Sequence, residues 1–439
     1  MNQNNVQLDR HEEIRKRSDD EVKCEMEHYI TEIKINEVRH LKDITIKVGD
    51  EVRRHLILTG RNGSGKTSLL REISTDLYTI NSDRKESVEN WKKTLNRWQQ
   101  KKETAVTEKE KLECENEERR YKDVLRAYET GVEIKYTDSS ELSALYMHGK
   151  FITAFYSADR LADIEKPFGV EKITLKESAS INEDVSSKLL KYMVHLQTQL
   201  AYAEQEKRDR DSENLKKWFS RFENALKKLF DDDSLRLVYN PREYNFMIMQ
   251  DGHNSFGFDG LSDGYSAVIK ILSDLILRMD QNWLNESEVS EYNKEGIVLI
   301  DELETHLHIE LQRKILPFLI SFFPRIQFVV STHSPYILSS VSNAVVYDLE
   351  RKVLLENMSD YSADDIAEGY FEAERYSVEL EKKINRYREL IEKTDITEDE
   401  RAERARIRLL LNNVPGQLAV DIRNEFTDLE NRRRVIGQV

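Results

Sequence analysis

His55-Leu-Ile-Leu-Thr-Gly60-Arg61-Asn62-Gly63-Ser64-Gly65-Lys66-Thr67-Ser68 is the stretch from which the rest of the chain is read. Residues 55–59 are apolar with little interruption, the pattern of a short parallel strand buried on both faces. A glycine-rich turn follows, and then a helix beginning near Lys66. Gly60 to Thr67 matches G-x-x-x-x-G-K-[ST] between a strand and a helix, the context that gives this motif its meaning. Glycines let successive backbone N–H groups converge on a phosphate, and the helix N-terminus adds favourable partial charge. Lys66 is expected to reach the terminal phosphates and the Thr67 hydroxyl to ligate Mg²⁺.

Working outward, "GIVLIDELETHLH" places four consecutive apolar residues, Ile297 to Ile300, before Asp301 and Glu302. That is a buried strand delivering an acidic pair to its C-terminal end, where α/β folds gather ligands. Asp301 suits Mg²⁺, largely through water, and Glu302 suits a general base on an attacking water. Taken alone, such a pair is equally a turn or a helix cap. "FVVSTHSPYIL" is a further buried strand ending at Thr332 and His333, which is expected beside the Asp301 strand and within reach of a terminal phosphate. In "DGLSDGYSAVIKIL", Leu261 to Gly264 reads by itself as a turn with Ser262 or Asp263 capping a helix.

The remaining pattern is a wound α/β core interrupted by helical insertions. "YITEIKINEV" and "DITIKV" alternate like half-buried strands. Charges are dense from 87 to 130, and Val88, Trp91, Leu95 and Trp98 recur at heptad spacing. This predicts a helical hairpin, with a single surface helix as the alternative. The expected organisation is an N-terminal extension (1–28), an α/β lobe with the phosphate loop (29–85) and the hairpin insertion (86–145). A returning strand (146–160) and a second helical insertion (161–234) follow. Next come a second α/β lobe with the Ser262, Asp301 and His333 segments (235–350) and a helical C-terminal element (351–439) for oligomerisation or partner docking. Thr397 and Glu400 read as a capping box.

Composition narrows the classes. The net charge of −15 argues against a uniformly basic nucleic-acid coat but leaves room for a local basic groove. Two distant cysteines, Cys24 and Cys114, make no disulfide framework and fit a reducing cytosol. No apolar run is long enough to cross a bilayer, so the sequence predicts a cytoplasmic protein without a membrane partner. Beyond Glu350 there is no histidine, cysteine or Asp-x-Asp, which argues against a metal-dependent nuclease there.

The order of Gly60–Thr67, Leu261–Gly264, Asp301–Glu302 and His333 resembles ABC-type ATPases of the SMC, Rad50, RecF and OLD group. "DELETHLH" and "STHSPYIL" look most like stand-alone ATPase subunits of bacterial anti-phage systems of the Septu type. The resemblance implies an α/β ATPase head with a mixed sheet, binding ATP and Mg²⁺ between two copies in a head-to-tail sandwich. Ser262, Asp263 and Gly264 of one copy would meet the nucleotide held by Gly60, Arg61, Asn62, Gly63, Ser64, Gly65, Lys66, Thr67 and Ser68 of the other. Glu302 and His333 would be catalytic, and Thr67 and Asp301 would hold the metal. Relatives often carry a glutamine after the strand that follows the first insertion; here "YSADR" offers Ser157, Asp159 or Arg160 for that Mg²⁺- or phosphate-linked part. The implied function is an ATPase that controls a separate effector, a nuclease, in defence. The alternatives are a RecF-like repair ATPase on duplex DNA and, less favoured, a transporter ATPase.

Overall fold

Five runs with almost no exposed position build the central sheet: β3 (His55–Thr59), β5 (Phe151–Tyr156), β9 (Glu295–Ile300), β10 (Ile326–Ser331) and β11 (Ala344–Asp348). They lie parallel in the order β11-β3-β10-β9-β5, and β12 (Val353–Leu355) closes the β11 edge antiparallel, making a mixed six-stranded sheet. Burial on both faces explains why the sequence shows continuous apolar runs here and not alternation. The computed structural model describes residues 27–81, 84–105, 107–126, 130–280, 292–355, 357–370, 378–393, 395–412 and 420–435. Nearly all of the expected N-terminal extension, with Cys24, lies outside them.

The alternating strands β1 (Ile30–Val38) and β2 (Leu41–Lys47) form an antiparallel sheet with β4 (Val132–Tyr136) in the order β2-β1-β4. Helix α1 (Lys66–Asn81) contributes Leu69, Leu70, Ile73 and Leu77 to one core with Ile33, Ile35 and Ile46 of that sheet and Leu56, Leu58, Leu299 and Val329 of the central one. Gln327, fully buried in β10, joins the two sheets. Its Oε1 accepts from Ile30 N at 2.8 Å, and its Nε2 donates to Ile30 O at 3.0 Å and Arg54 O at 2.8 Å. A buried amide with both ends satisfied fixes register as apolar packing alone does not.

Helices α2 (Arg84–Thr104) and α3 (Glu108–Arg126) run back on one another, with Gln99 and Lys102 donating to Glu118 across the pair. The reading of 86–145 as wholly helical hairpin is corrected by β4, whose Ile134 pairs with Ile33 of β1. Five residues alternate too briefly to announce a strand whose partner lies about a hundred positions away.

A second correction concerns 161–234. Residues 161–185 carry no helix. They are held by the buried Arg278, which donates to Ala179 O at 3.0 Å, Ser180 O at 3.1 Å and Glu183 O, and by Asp274 Oδ1, which accepts from Val185 N at 2.8 Å. Helices α4 (Leu189–Gln205) and α5 (Asp209–Phe230) then pack as a pair. The aromatic stripe on α5 is core: Trp218 stacks on Phe222 at 5.6 Å and Phe219 on Phe246 at 5.6 Å. Phe246 belongs to an antiparallel sheet of β6 (Arg236–Asn240), β7 (Asn245–Met249) and β8 (Phe256–Gly257), after which come α6 (Asp263–Met279) and, following β9, α7 (Ile309–Phe322).

The chain divides into two compact units, Met1–Ala363 and Asp364–Val439. The second contains α8 (Val378–Glu392), α9 (Glu398–Asn412) and α10 (Val420–Val435), whose core includes Ile384, Tyr387, Leu390, Ile407, Leu411 and Leu429. Thr397 N donates to Glu400 Oε2 at 3.0 Å and Glu400 N to Thr397 Oγ1 at 3.3 Å, the reciprocal pair of a capping box at the start of α9.

Candidate functional site

The register of the central sheet decides where the chemistry meets. Tyr156 and Val330 both pair with Ile300, Val330 also pairs with Ile57, and Thr59 pairs with Asp348. The C-terminal ends of β3, β5, β9 and β10 therefore open on one edge. The phosphate loop, Ser157–Arg160, Asp301–Glu302 and His333 emerge side by side there. Ligands of open α/β sheets collect at this edge because strands end and helices begin there.

Gly60, Gly63 and Gly65 all take positive φ, at 126°, 86° and 98°. At Gly60 the need is double, since a Cβ would also stand 3.0 Å from Ser64 Oγ and 3.1 Å from Asp348 Oδ1. Arg61, Asn62 and Gly63 are exposed, Ser64 to Lys66 buried, and Thr67 and Ser68 half-buried at the first turn of α1. Lys66, only 6% exposed, donates from Nζ to Gly60 O at 2.7 Å and Arg61 O at 3.3 Å. Burial pushes its pKa down, opposed by the carboxylates of Glu304, Glu302, Asp301 and Asp348. One ammonium thus lies within electrostatic reach of four carboxylates.

Asp301 is buried, and its Oδ1 accepts from Ser331 Oγ at 2.6 Å. The same hydroxyl accepts from Glu302 N at 2.8 Å, tying the end of β9 to the end of β10. Glu302 holds φ at +45°, a left-handed conformation costly for a residue with a Cβ. Arg160 explains how it is kept. Buried to 2% exposure, its guanidinium donates to Asp301 O at 2.7 Å, Glu302 O at 2.9 Å, Leu303 O at 2.9 Å and Ser157 O at 3.1 Å. Burial lowers its pKa to about 10, which leaves it charged at neutral pH. Arg160, offered with Ser157 and Asp159 for a Mg²⁺- or phosphate-linked part, turns its fork to the backbone of the acidic turn. Ser157 and Asp159 are exposed at the end of β5.

His333 N donates to Glu304 Oε1 at 2.6 Å. Burial and then Lys66 lower the His333 pKa, against the carboxylates of Glu304, Glu302 and Asp301, so the imidazole is neutral at pH 7. Glu304 and Ser331 were not singled out from sequence. A third carboxylate in Asp301-Glu302-Leu303-Glu304 was the available signal; Ser331 had none, since a serine ending an apolar strand is ordinary.

Ser262, Asp263 and Gly264 lie at the start of α6. Ser262 occupies the N-cap position of α6, yet its hydroxyl makes no cap bond, and both it and Asp263 are exposed. Gly264 is buried, and a Cβ there would meet His306 O at 2.7 Å, so α6 begins in close contact with the turn that follows Glu302.

The residues suit a magnesium nucleotide. Thr59 Oγ1, Ser64 Oγ, Glu304 Oε2 and His333 Nε2 are shielded from solvent with no hydrogen-bond partner among the described residues. Four orphaned polar atoms around one loop fit a polar ligand. Among the described residues no group of three or more His, Cys, Asp or Glu side chains could hold a metal. Mg²⁺ does not require one, being held by one or two protein ligands together with phosphates and water. No helix of the described residues is long and apolar enough to cross a membrane.

Known proteins bear on this arrangement. The chain is 34% identical over 143 residues to "Septu protein PtuA" of Bacillus mycoides (strain KBAB4), covering 32% of this chain and 18% of that protein. It is 36% identical over 113 residues to "Retron Vc95 probable ATPase" of Vibrio cholerae serotype O1 biovar El Tor, covering 26% of this chain and 21% of that one. The matched stretch thus spans about a fifth of either relative's length. Among solved structures, an SMC head bound to the C-winged helix domain of ScpA superposes with a TM-score of 0.38 at 10% identity, over 76% of this chain and 100% of that one. A family model described as "AAA domain, putative AbiEii toxin, Type IV TA system" matches residues 56–339, from β3 through the His333 turn, and the chain belongs to that family.

Proposed function

We propose that the protein is an ATP-hydrolysing subunit of the ABC/SMC type whose site is completed by a second copy, and that its nucleotide state controls a separate effector, a nuclease, in anti-phage defence. The observation that carries this reading is the gathering of Lys66, Asp301, Glu302 and His333 at one sheet edge, where Lys66 and His333 both lie within reach of the two carboxylates' charge. The exposed, uncapped Ser262 hydroxyl at the start of α6 supports its use by a partner's nucleotide. The likeness to a Septu protein and a retron ATPase supports the defence setting.

In this reading, backbone N–H groups of 61–65 and the first turn of α1 cradle the phosphates, and Lys66 swings from its loop carbonyls onto them. Thr67 and Asp301 would hold Mg²⁺, which when bound draws charge from the phosphoryl oxygens. Glu302 takes the proton of the attacking water. The test is a pair of variants. Lys66→Ala should abolish binding of labelled ATP. Glu302→Gln should bind ATP, turn it over at least about a hundredfold more slowly, and accumulate a dimer on sizing. Wild-type turnover by Glu302→Gln would overturn the base assignment; a wild-type chain that neither binds nor hydrolyses ATP would overturn the reading.

A second reading, direct contact with nucleic acid, is favoured by a cavity of about 670 Å³ whose lining includes Lys216, Lys217, Arg221 and Lys228 of α5 with Tyr292 and Phe322. It predicts a salt-sensitive shift of duplex DNA that Lys217→Glu with Lys228→Glu abolishes.

A further inference from the structure

Glu304 is placed unlike a solvated carboxylate. One oxygen, Oε1, accepts the His333 main-chain N–H at 2.6 Å. The other, Oε2, is shielded from water with no hydrogen-bond partner, and so is His333 Nε2. The residue directly follows the Asp301, Glu302 and Leu303 carbonyls that Arg160 grips. It is also the carboxylate whose charge weighs most on Lys66 and on Arg160. Two residues joined by that 2.6 Å bond thus each carry a buried polar atom without a partner, and each atom calls for a polar occupant. A water suits the carboxylate oxygen, which accepts a hydrogen bond and has no donor of its own.

Resting on the ATPase reading above, we propose that Glu304 is a water-positioning residue: Oε1 fixes the His333 turn, and Oε2 accepts one hydrogen of the water that attacks the terminal phosphate. The water's other proton passes to Glu302 as its oxygen bonds to the γ-phosphorus. The bond from that phosphorus to the β–γ bridging oxygen breaks, giving ADP and inorganic phosphate. Glu304 keeps its charge throughout. A carboxylate used in this way acts on turnover and not on nucleotide affinity. Removing a negative charge beside Lys66 leaves ATP binding unchanged or tighter.

Glu304→Gln separates the two oxygens. Its amide oxygen can still accept from His333 N, while its NH₂ presents a donor where an acceptor is required. The expected result is a fall in kcat of at least about tenfold, with affinity for a fluorescent ATP analogue within about threefold of wild type and an unchanged thermal midpoint. Glu304→Ala should lose as much, and formate should restore part of its turnover by supplying a carboxylate. Wild-type kcat in Glu304→Gln would overturn the proposal, as would a loss of analogue affinity matching the loss of turnover. Should Glu304→Gln not fold, absence of formate rescue in Glu304→Ala would overturn it instead. Wild type and Glu302→Gln run alongside keep the outcomes apart: an inactive wild type strikes the ATPase reading, and an active wild type with an unaffected Glu304→Gln strikes only the role of Glu304.

Discussion

His55 opens β3, five residues before the first glycine of the phosphate loop, and is 2% exposed. Its Nδ1 accepts from Phe328 N at 3.1 Å, so protonation would remove an acceptor that a buried strand of β10 depends on. Burial, with Arg53 nearby, lowers its pKa from 6.5 to about 4. The unfolded chain then binds this proton more readily than the folded one. The stability it contributes is complete above pH 6.5 and is lost as the pH falls toward 4. The wild type should lose about 2 kcal/mol more than His55→Gln between about pH 7 and pH 4.5 in urea titrations. Parallel pH profiles would refute this. At the same scale, the placement of Lys66 after β3 and of Asp301 after β9 was legible because each motif is local. Arg160 and Glu304 were not. A buried guanidinium on three carbonyls some 140 positions away leaves no local trace, and the second role of a glutamate depends on which peptide N–H the fold brings to it.

At the scale of elements, the start of α6 makes a separable prediction. Gly264 lies where a Cβ would press on a main-chain oxygen of the turn after Glu302, not on a movable side chain. Gly264→Ala should therefore cost about 1–3 kcal/mol in urea denaturation, whereas Gly169→Ala, with nothing within 4 Å of its Cβ, should be nearly neutral. Equal effects would show that α6 does not need this approach. The sequence reading took Gly264 as part of a capping turn or as a residue meeting a second copy's nucleotide, and packing adds a reason within the chain. The elements read best were those with strong periodicity or unbroken apolar runs. β4 was missed because its alternation is short and its partner distant. Residues 161–185 were missed because their order comes from Arg278 and Asp274, a buried pair 2.6 Å apart on a helix a hundred residues later.

For the molecule as a whole, the division at residue 363 separates a unit with a large α/β core from one whose described residues are helical with a small core. A core of that size supplies little stability. Calorimetry should resolve two transitions, and Thr397→Ala, which removes a capping-box partner worth about 1 kcal/mol, should lower the temperature of one of them. A single transition displaced as a unit would count against this. The residues alone determined the parallel α/β core, the phosphate-loop position and the acidic strand end, because backbone geometry, periodicity and glycine content act over a few neighbouring positions. Only the tertiary structure decided which strand ends share an edge, that Arg160 braces the strained Glu302, and that Glu304 holds His333. Those depend on sheet order and register, set by burial summed over residues that the chain keeps far apart.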